Sequence, residues 1–177
     1  MRRVILDIDG VLVSTKKWVT RDGRLFGVHG NQTRQCGDGY NGRGYIHNSI
    51  RPYTPQLRHR LVANIFCVNP RPGYFTDVDH ADGNILNNTA DNLRFVSNQL
   101  NLLNRKSKTC KPKSGNQNVY HVQITFCYKN HHITNVETEQ EALDLKDKLR
   151  RKLFNLLYDY ETRPMMYPRP ETWKIGK

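Results

Sequence analysis

Residues 78–96 read Val78-Asp79-His80-Ala81-Asp82-Gly83-Asn84-Ile85-Leu86-Asn87-Asn88-Thr89-Ala90-Asp91-Asn92-Leu93-Arg94-Phe95-Val96. Apolar residues stand at both ends, and most of what lies between is Asp, Asn, Gly or Thr. Such side chains bond to their own backbone or tolerate left-handed conformations, so they build turns. Residues 74–97 therefore predict two short strands around a polar loop. The charge of this stretch contrasts with its flanks. Residues 39–76 contain no Asp or Glu and carry Arg43, Arg51, Arg58, Arg60 and Arg71. Residues 92–136 also lack acids and carry Arg94, Arg105, Lys106, Lys108, Lys111, Lys113 and Lys129. Between them sit Asp77, Asp79, Asp82 and Asp91. An acidic island in a basic surface suits phosphate only if its carboxylates hold a cation that itself faces phosphate. Turn formation accounts for Asp82-Gly83 and Asp91, but not for Asp79 beside His80.

The rest of the chain sharpens that reading. It has 177 residues, with 28 Lys+Arg against 16 Asp+Glu, for a formal net charge of +12. Such a chain repels itself unless an anionic partner binds, and nucleic acid is the leading candidate. Hydrophobic residues make up 37%, below the roughly 45–50% of ordinary globular chains. Small modules wrapped around a partner are expected rather than one large core. Met1–Leu6 begins like a signal peptide, but Asp7 and Asp9 interrupt it. The run Leu61–Val68 contains Asn64 and is too short to cross a bilayer. A soluble, cytoplasmic protein without membrane contact is expected. Cys36, Cys67, Cys110 and Cys127 fall in no C-x-x-C spacing, so four reduced thiols are expected rather than a disulfide framework or a zinc site.

The local patterns divide the chain. Val4–Leu6 and Val11–Val13 flank Asp9-Gly10, and Trp18–Thr20 and Leu25–Val28 flank Asp22-Gly23, which are hairpin signals. Residues 29–50, rich in Gly, Asn and Tyr, read as loop with a further strand or two. Thr54-Pro55 opens a helical pattern continued by Leu57, Leu61, Val62, Ile65 and Phe66. Asn69–Gly73 ends it. Ser97–Asn104 predicts a short helix. Residues 105–118 read as a basic linker. Val122, Ile124, Phe126 and Tyr128 then alternate with His121, Gln123, Thr125 and Cys127, as on a strand. Lys129-Asn130 is the expected reversal. Thr138 and Glu141 make a capping box. Ala142, Leu145, Leu149, Leu153, Leu156 and Leu157 mark an amphipathic helix ending near Tyr158, and the tail 161–177 is expected to be extended.

The stretch 78–96, with His59-Arg60-Leu61-Val62-Ala63 upstream and Asn101 downstream, resembles the HNH endonuclease motif, in particular its phage and intron-associated homing branch. The resemblance covers about residues 58–105. It implies a ββα-metal unit and a role for each matching position. His80 would be the general base that takes a proton from water. Asp79 would be a metal ligand, and Asn92 would brace the loop and orient the His80 ring. Asn101 would be the second ligand, where many relatives have histidine. An asparagine ligand favours a hard cation, Mg2+ or Mn2+, over zinc. The chemistry agrees with this assignment. Phosphodiester hydrolysis is very slow uncatalysed. A divalent ion offsets the charge that develops on the phosphate, and imidazole titrates near working pH. Neighbouring strand residues point to opposite faces, so a distortion at the strand end, or the metal itself, is expected to bring Asp79 and His80 to one site. His59 is read as a packing or phosphate-contacting residue, and His131-His132 as exposed.

Two further stretches resemble known families. Val4–Leu12, with Asp7 and Asp9, is similar to the first motif of haloacid-dehalogenase phosphatases. The Asp-Gly turns that follow favour a hairpin instead. Ser114-Gly115, the strand at 120–128, Thr138–Ala142 and the long helix resemble the ethylene-response-factor type of DNA-binding domain, a sheet packed on one helix. Residues 115–120 are too short for a full first strand, so two full strands are expected. His121, Gln123 and Thr125 would face DNA, with Lys106, Lys108, Lys111 and Lys113 on the backbone. Arg58, Arg60, Arg94 and Arg105 are further candidate DNA contacts. Arg21, Arg24, Arg34 and Arg43, interleaved with Tyr40 and Tyr45, would extend that surface.

The expected architecture is α+β and modular. An N-terminal region of antiparallel hairpins (1–56) precedes a ββα-metal nuclease (57–105), a basic linker (106–118), a small antiparallel sheet packed on one long helix (119–160) and a tail (161–177). The expected function is metal-dependent, site-specific cleavage of double-stranded DNA by a monomer, leaving 3′-hydroxyl and 5′-phosphate ends. If the chain is phage-encoded, it acts in a bacterial cytoplasm. The competing expectation is a sequence-specific DNA-binding protein with a decayed nuclease site.

Overall fold

The computed structural model describes residues 1–8, 11–105, 112–113, 116–126 and 129–163, and the fold is α+β. Strands β1 (Arg2–Ile8), β2 (Val11–Val19), β3 (Leu25–His29) and β4 (Gln32–Gln35) form an antiparallel sheet in chain order. Its period-2 pattern buries Val4 and Leu6 while Arg3 and Ile5 face out. Ile8 pairs with Val11, so the phosphatase-like segment is a hairpin, although Asp9 and Gly10 lie outside the described residues.

A second sheet holds β5 (Gly39–Tyr40), β6 (Ile46–Ile50) and β7 (Tyr53–Leu57). Here the helix expected from Thr54-Pro55 is corrected. Both residues are extended, with Gln56 and Leu57 paired to Asn48 and His47. Strand β7 is an edge of its sheet, where a proline without an N–H is tolerated. The helix α1 (Arg58–Phe66) begins only after Leu57 and ends where Cys67 N–H bonds Ala63 O at 2.9 Å.

Strands β8 (Asp77–His80) and β9 (Leu93–Val96) pair antiparallel, with a 3-10 turn at Ala90–Asn92 entering β9. Helix α2 (Asn98–Asn104) follows, capped by Ser97 Oγ, which accepts from Leu100 N at 3.4 Å. The third sheet joins β10 (Pro112–Lys113), β11 (Asn116–Phe126) and β12 (Lys129–Val136), and β10 spans two residues only. Lys129 and Asn130 are paired with Phe126 and Thr125, so they belong to β12 and not to the reversal expected there. A register shift between Val122 and Gln123 accompanies that pairing.

Helix α3 (Glu139–Thr162) starts at Thr138, whose hydroxyl accepts from Glu141 N at 3.2 Å. It runs past Tyr158, so Glu161 and Thr162 are helical rather than part of a tail. The cause is tertiary. Glu161 is buried, its carboxylate accepting from Tyr74 Oη at 2.9 Å and Ser97 Oγ at 3.2 Å.

The sheets are separate, but one core lies beneath most of them, against the expectation from composition. Val4, Leu6, Val19 and Leu25 join Leu61, Val62, Phe75, Val96, Leu100, Ile124 and Phe154 in a single cluster. Leu149, Leu153 and Leu157 pack against it as expected, whereas Leu156 is 60% exposed and Phe154, not singled out by the leucine pattern, is 3% exposed. A smaller cluster of Val122 and Ala142, with Tyr120, Val136 and Leu145, seats the third sheet on α3. Cys36 and Cys67 are free thiols, and Cys110 and Cys127 lie outside the described residues. Among the described residues no helix is long and apolar enough to cross a membrane.

Candidate functional site

Strand β8 presents Asp77 and Asp79 to helix α2, because alternate residues share a face. Two asparagines one helical turn apart meet them. Asn101 Nδ2 donates to Asp77 Oδ2 at 3.1 Å, and Asn104 Nδ2 donates to Asp79 Oδ1 and Oδ2 at 2.9 and 3.0 Å. The asparagine on Asp79 is thus Asn104, while Asn101 bonds the neighbouring aspartate. Arg94, opposite Asp79 in β9, donates to Oδ2 from Nε at 3.0 Å, with Nη2 at 2.9 Å. Asp79 is 6% exposed. Burial pushes its carboxyl above the usual range, opposed by the hydrogen bond from Asn104 and the charge of Arg94.

His80 lies on the other side of the strand. Its register with Leu93 continues that of Asp79 with Arg94 without a bulge, so the expected strand-end distortion is not seen. The ring packs 5.1 Å from that of His59 on α1 and 6.2 Å from that of Tyr45, centre to centre. Its Nε2 lies 3.2 Å from Asn88 Oδ1. The side chain bonded to this ring is therefore Asn88, not Asn92. Asn92 acts on the loop, donating to Asp82 Oδ1 and Asn87 O at 2.9 Å and accepting from Asp82 N at 3.0 Å. Asp82 also accepts from Asn84 N and Asn87 Nδ2, both at 2.8 Å, as a loop-organising turn residue. Asn104 links the two faces by donating to His80 O at 2.9 Å. His59 is 5% exposed, and burial, then the charges of His80 and Arg60, lower its pKa to about 4, so it stays neutral near pH 7.

The first sheet supports this loop from outside. Gly23, in the turn between β2 and β3, has φ +83, and a Cβ there would meet Asn88 O at 2.6 Å. Only glycine allows that approach without strain. Arg58 is 4% exposed and fixes the same turn, donating to Gly23 O at 2.7 Å, Asn48 Oδ1 at 2.6 Å and Asp38 Oδ1 at 2.8 Å. Its guanidinium thus faces the interior, not the surface expected of a DNA contact. Arg94 is paired to Asp79 and lies over the Phe154 ring, with its side chain 25% exposed. Arg60 is more exposed, on Thr76 O and Asp77.

Arg105, Gln123 and Thr125 are exposed, and His121 is half-buried against His132. Lys106, Lys108 and Lys111 lie outside the described residues, as does the side chain of Lys113. His131 and His132 bond separate partners, Phe126 O and Asn135 Oδ1. A cleft of about 370 Å³ opens beside Asn104, lined also by Arg94, Arg105, Arg150, Arg151 and Phe154.

Sequence reasoning missed Asn88 and Asn104. Asn104 had a signal, since Asn101-x-x-Asn104 on a helix matches Asp77-x-Asp79 on a strand. Nothing local marks Asn88 among the other loop asparagines. Among the described residues no three His, Cys, Asp or Glu side chains gather as a metal cluster. The hard oxygens at this place are those of the Asp77 and Asp79 carboxylates, which Asn101 and Asn104 meet through Nδ2. That set fits magnesium or manganese, which commonly take one or two protein oxygens and leave other positions to phosphate and water.

No family model matches the chain. It is similar to an uncharacterized HNH endonuclease of Acanthamoeba polyphaga mimivirus, 33% identical over 79 residues, which are 44% of this chain and 42% of that protein. The chain thus spans less than half the length of that curated relative. Among solved structures it is similar to the HNH homing endonuclease I-HmuI, described for its DNA binding and cleavage. That match has a TM-score of 0.44 and 29% identity, covering 56% of each chain.

Proposed function

We propose that the protein is a metal-dependent DNA endonuclease of the homing type that hydrolyses phosphodiester bonds to 3′-hydroxyl and 5′-phosphate ends. The observation that carries this reading is His80. It is a buried imidazole held at Nε2 by Asn88, one residue from a buried carboxylate, in a chain 33% identical over 79 residues to an HNH endonuclease. With Asn88 Oδ1 accepting from Nε2–H, Nδ1 is the ring atom left to take a proton from water. His59 packs against that ring as a neutral partner, and Asn92 keeps the loop closed beneath it. Asp79, with Asn101 and Asn104 turning Oδ1 in place of Nδ2, would hold Mg2+ or Mn2+, which supplies electrostatic stabilisation of the phosphate and the leaving oxygen. Arg60, Arg105 and the polar face His121, Gln123 and Thr125, with the lysines of 106–113, would bind duplex DNA. One such site per chain makes a monomer a nicking enzyme.

The test is a supercoiled-plasmid assay with magnesium, on DNA carrying a cleavable site found by sequencing ends from a genomic library. His80→Ala should lower nicking by about 10²–10⁴-fold. Equal nicking by both proteins removes the base. DNA binding without nicking by either favours the second reading, a DNA-binding protein with a decayed site.

A further inference from the structure

Arg94 makes two kinds of contact at once. Its guanidinium meets Asp79 Oδ2 through Nε and Nη2, and its central carbon lies 3.9 Å from the centre of the Phe154 ring and 5.7 Å from that of Tyr158. Those two rings stack on α3, 5.7 Å apart and 15° from parallel. Phe154 is 3% exposed, so the platform belongs to the core and is not a mobile surface group. A guanidinium suits both a carboxylate and an aromatic face. Asp79 Oδ2 already receives Nε and Nη2 of Arg94 and Nδ2 of Asn104. A divalent ion approaching this carboxylate meets a fixed positive charge and occupied lone pairs.

We propose that Arg94 is a positioning residue that competes with a divalent cation for Asp79, and that α3, through Phe154 and Tyr158, sets how firmly it competes. This rests on the reading that Asp79 binds the metal. The ion pair joins cross-strand partners of β8 and β9, but its aromatic platform sits on a different part of the fold. Asp79 belongs to β8, whereas the platform belongs to the helix that also carries the third sheet through Ala142 and Val122. A movement of that sheet passes along α3 to the rings, and from them to the charge on Asp79. Metal loading is thereby coupled to the seating of the C-terminal sheet.

The test is a Mn2+ titration of the full chain, followed by electron paramagnetic resonance of free Mn2+ without DNA, with circular dichroism to check folding. Asp79→Asn should abolish binding. Arg94→Gln should lower the dissociation constant at least tenfold, because it keeps a polar group and removes the charge. Phe154→Leu, which keeps apolar volume without a ring, should lower it severalfold. Arg94→Lys should return it close to wild type, because the charge is restored. Unchanged or weaker binding by folded Arg94→Gln overturns the competition. If the wild type takes up no Mn2+, or Asp79→Asn binds equally well, the metal assignment fails and the competition falls with it. Wild-type binding lost in Asp79→Asn but not tightened in Arg94→Gln overturns the competition alone.

Discussion

The β8–β9 pair and the β11–β12 pair are both antiparallel, and both carry polar residues proposed to act on DNA, but they are held in place differently. In the first, Val78, Asp79, His80, Leu93, Phe95 and Val96 are buried, and α1, α2 and α3 cover it. In the second, residues 129–133 of β12 are exposed, and the sheet is held from one face only, by Val122 against Ala142 and Ile124 in the main core. A polar group inside the first pair must have a partner, since an unpaired buried one costs about 1–3 kcal/mol. Hence the ladder of Asp77–Asn101 and Asp79–Asn104, and the ring of His80 on Asn88. Polar groups on the second pair lie at the surface in local bonds, such as Thr125 to Asn130 and His132 to Asn135, which water or another partner can replace. Chemistry needs the first environment, and recognition can use the second.

Four measurements would break or sharpen that contrast. Phe154→Ala removes a ring shared by the main core and the Arg94 ion pair, and should cost about 3–5 kcal/mol in urea unfolding. A loss under 1 kcal/mol would mean that α3 does not brace the central pair. The next effect depends on pH. His59 has a folded pKa of about 4 against an ordinary 6.5. Below pH 6.5 the unfolded chain takes up a proton that the folded one refuses. Stability should therefore fall by about 3 kcal/mol in all between pH 6.5 and 4, and His59→Gln should flatten that slope. Gly23→Ala, at φ +83 and against Asn88 O, should cost about 2 kcal/mol and lower nicking with it. Unchanged nicking would separate the first sheet from the His80 loop. Smallest is Thr138→Ala at the cap of α3, about 1 kcal/mol, with plasmid nicking per folded molecule unchanged.

How much of this was legible in the sequence depended on how local the cause was. The polar loop of 81–92, the capped helix at Ser97 and the capping hydroxyl of Thr138 follow from side chains bonding nearby backbone, so spacing alone revealed them. Thr54-Pro55 carries a good helix-start pattern, yet pairing to β6 prevails over it. Phe154 lies one position from Leu153 and was invisible beside the leucines, because only the placement of Arg94 makes it central. Glu161 reads as a solvated end of chain until Tyr74 and Ser97 are brought to it from 87 and 64 residues away. Asn88 and Asn104 are the same case at the site. The chain has several asparagines in the right neighbourhood, and the tertiary fold selects among them. Arg58 shows the reverse error, since composition counts a charge as surface and the structure places it beneath a turn.

The uninterrupted course of α3 has a geometric result. Its 24 residues make a rod of about 36 Å, with the third sheet near one end and the β8–β9 pair near the other. The contacts themselves, at Ala142 and Phe154, lie about 18 Å apart along it, roughly half the axial length of one duplex turn. The rod fixes both the spacing and the phase between the third sheet and the β8–β9 pair, and so, on the proposed function, between recognition and cleavage. One residue inserted in mid-helix would rotate the sheet by about 100° and put the two out of phase. Four would nearly restore the phase while moving the cut by about 6 Å, or roughly two base pairs.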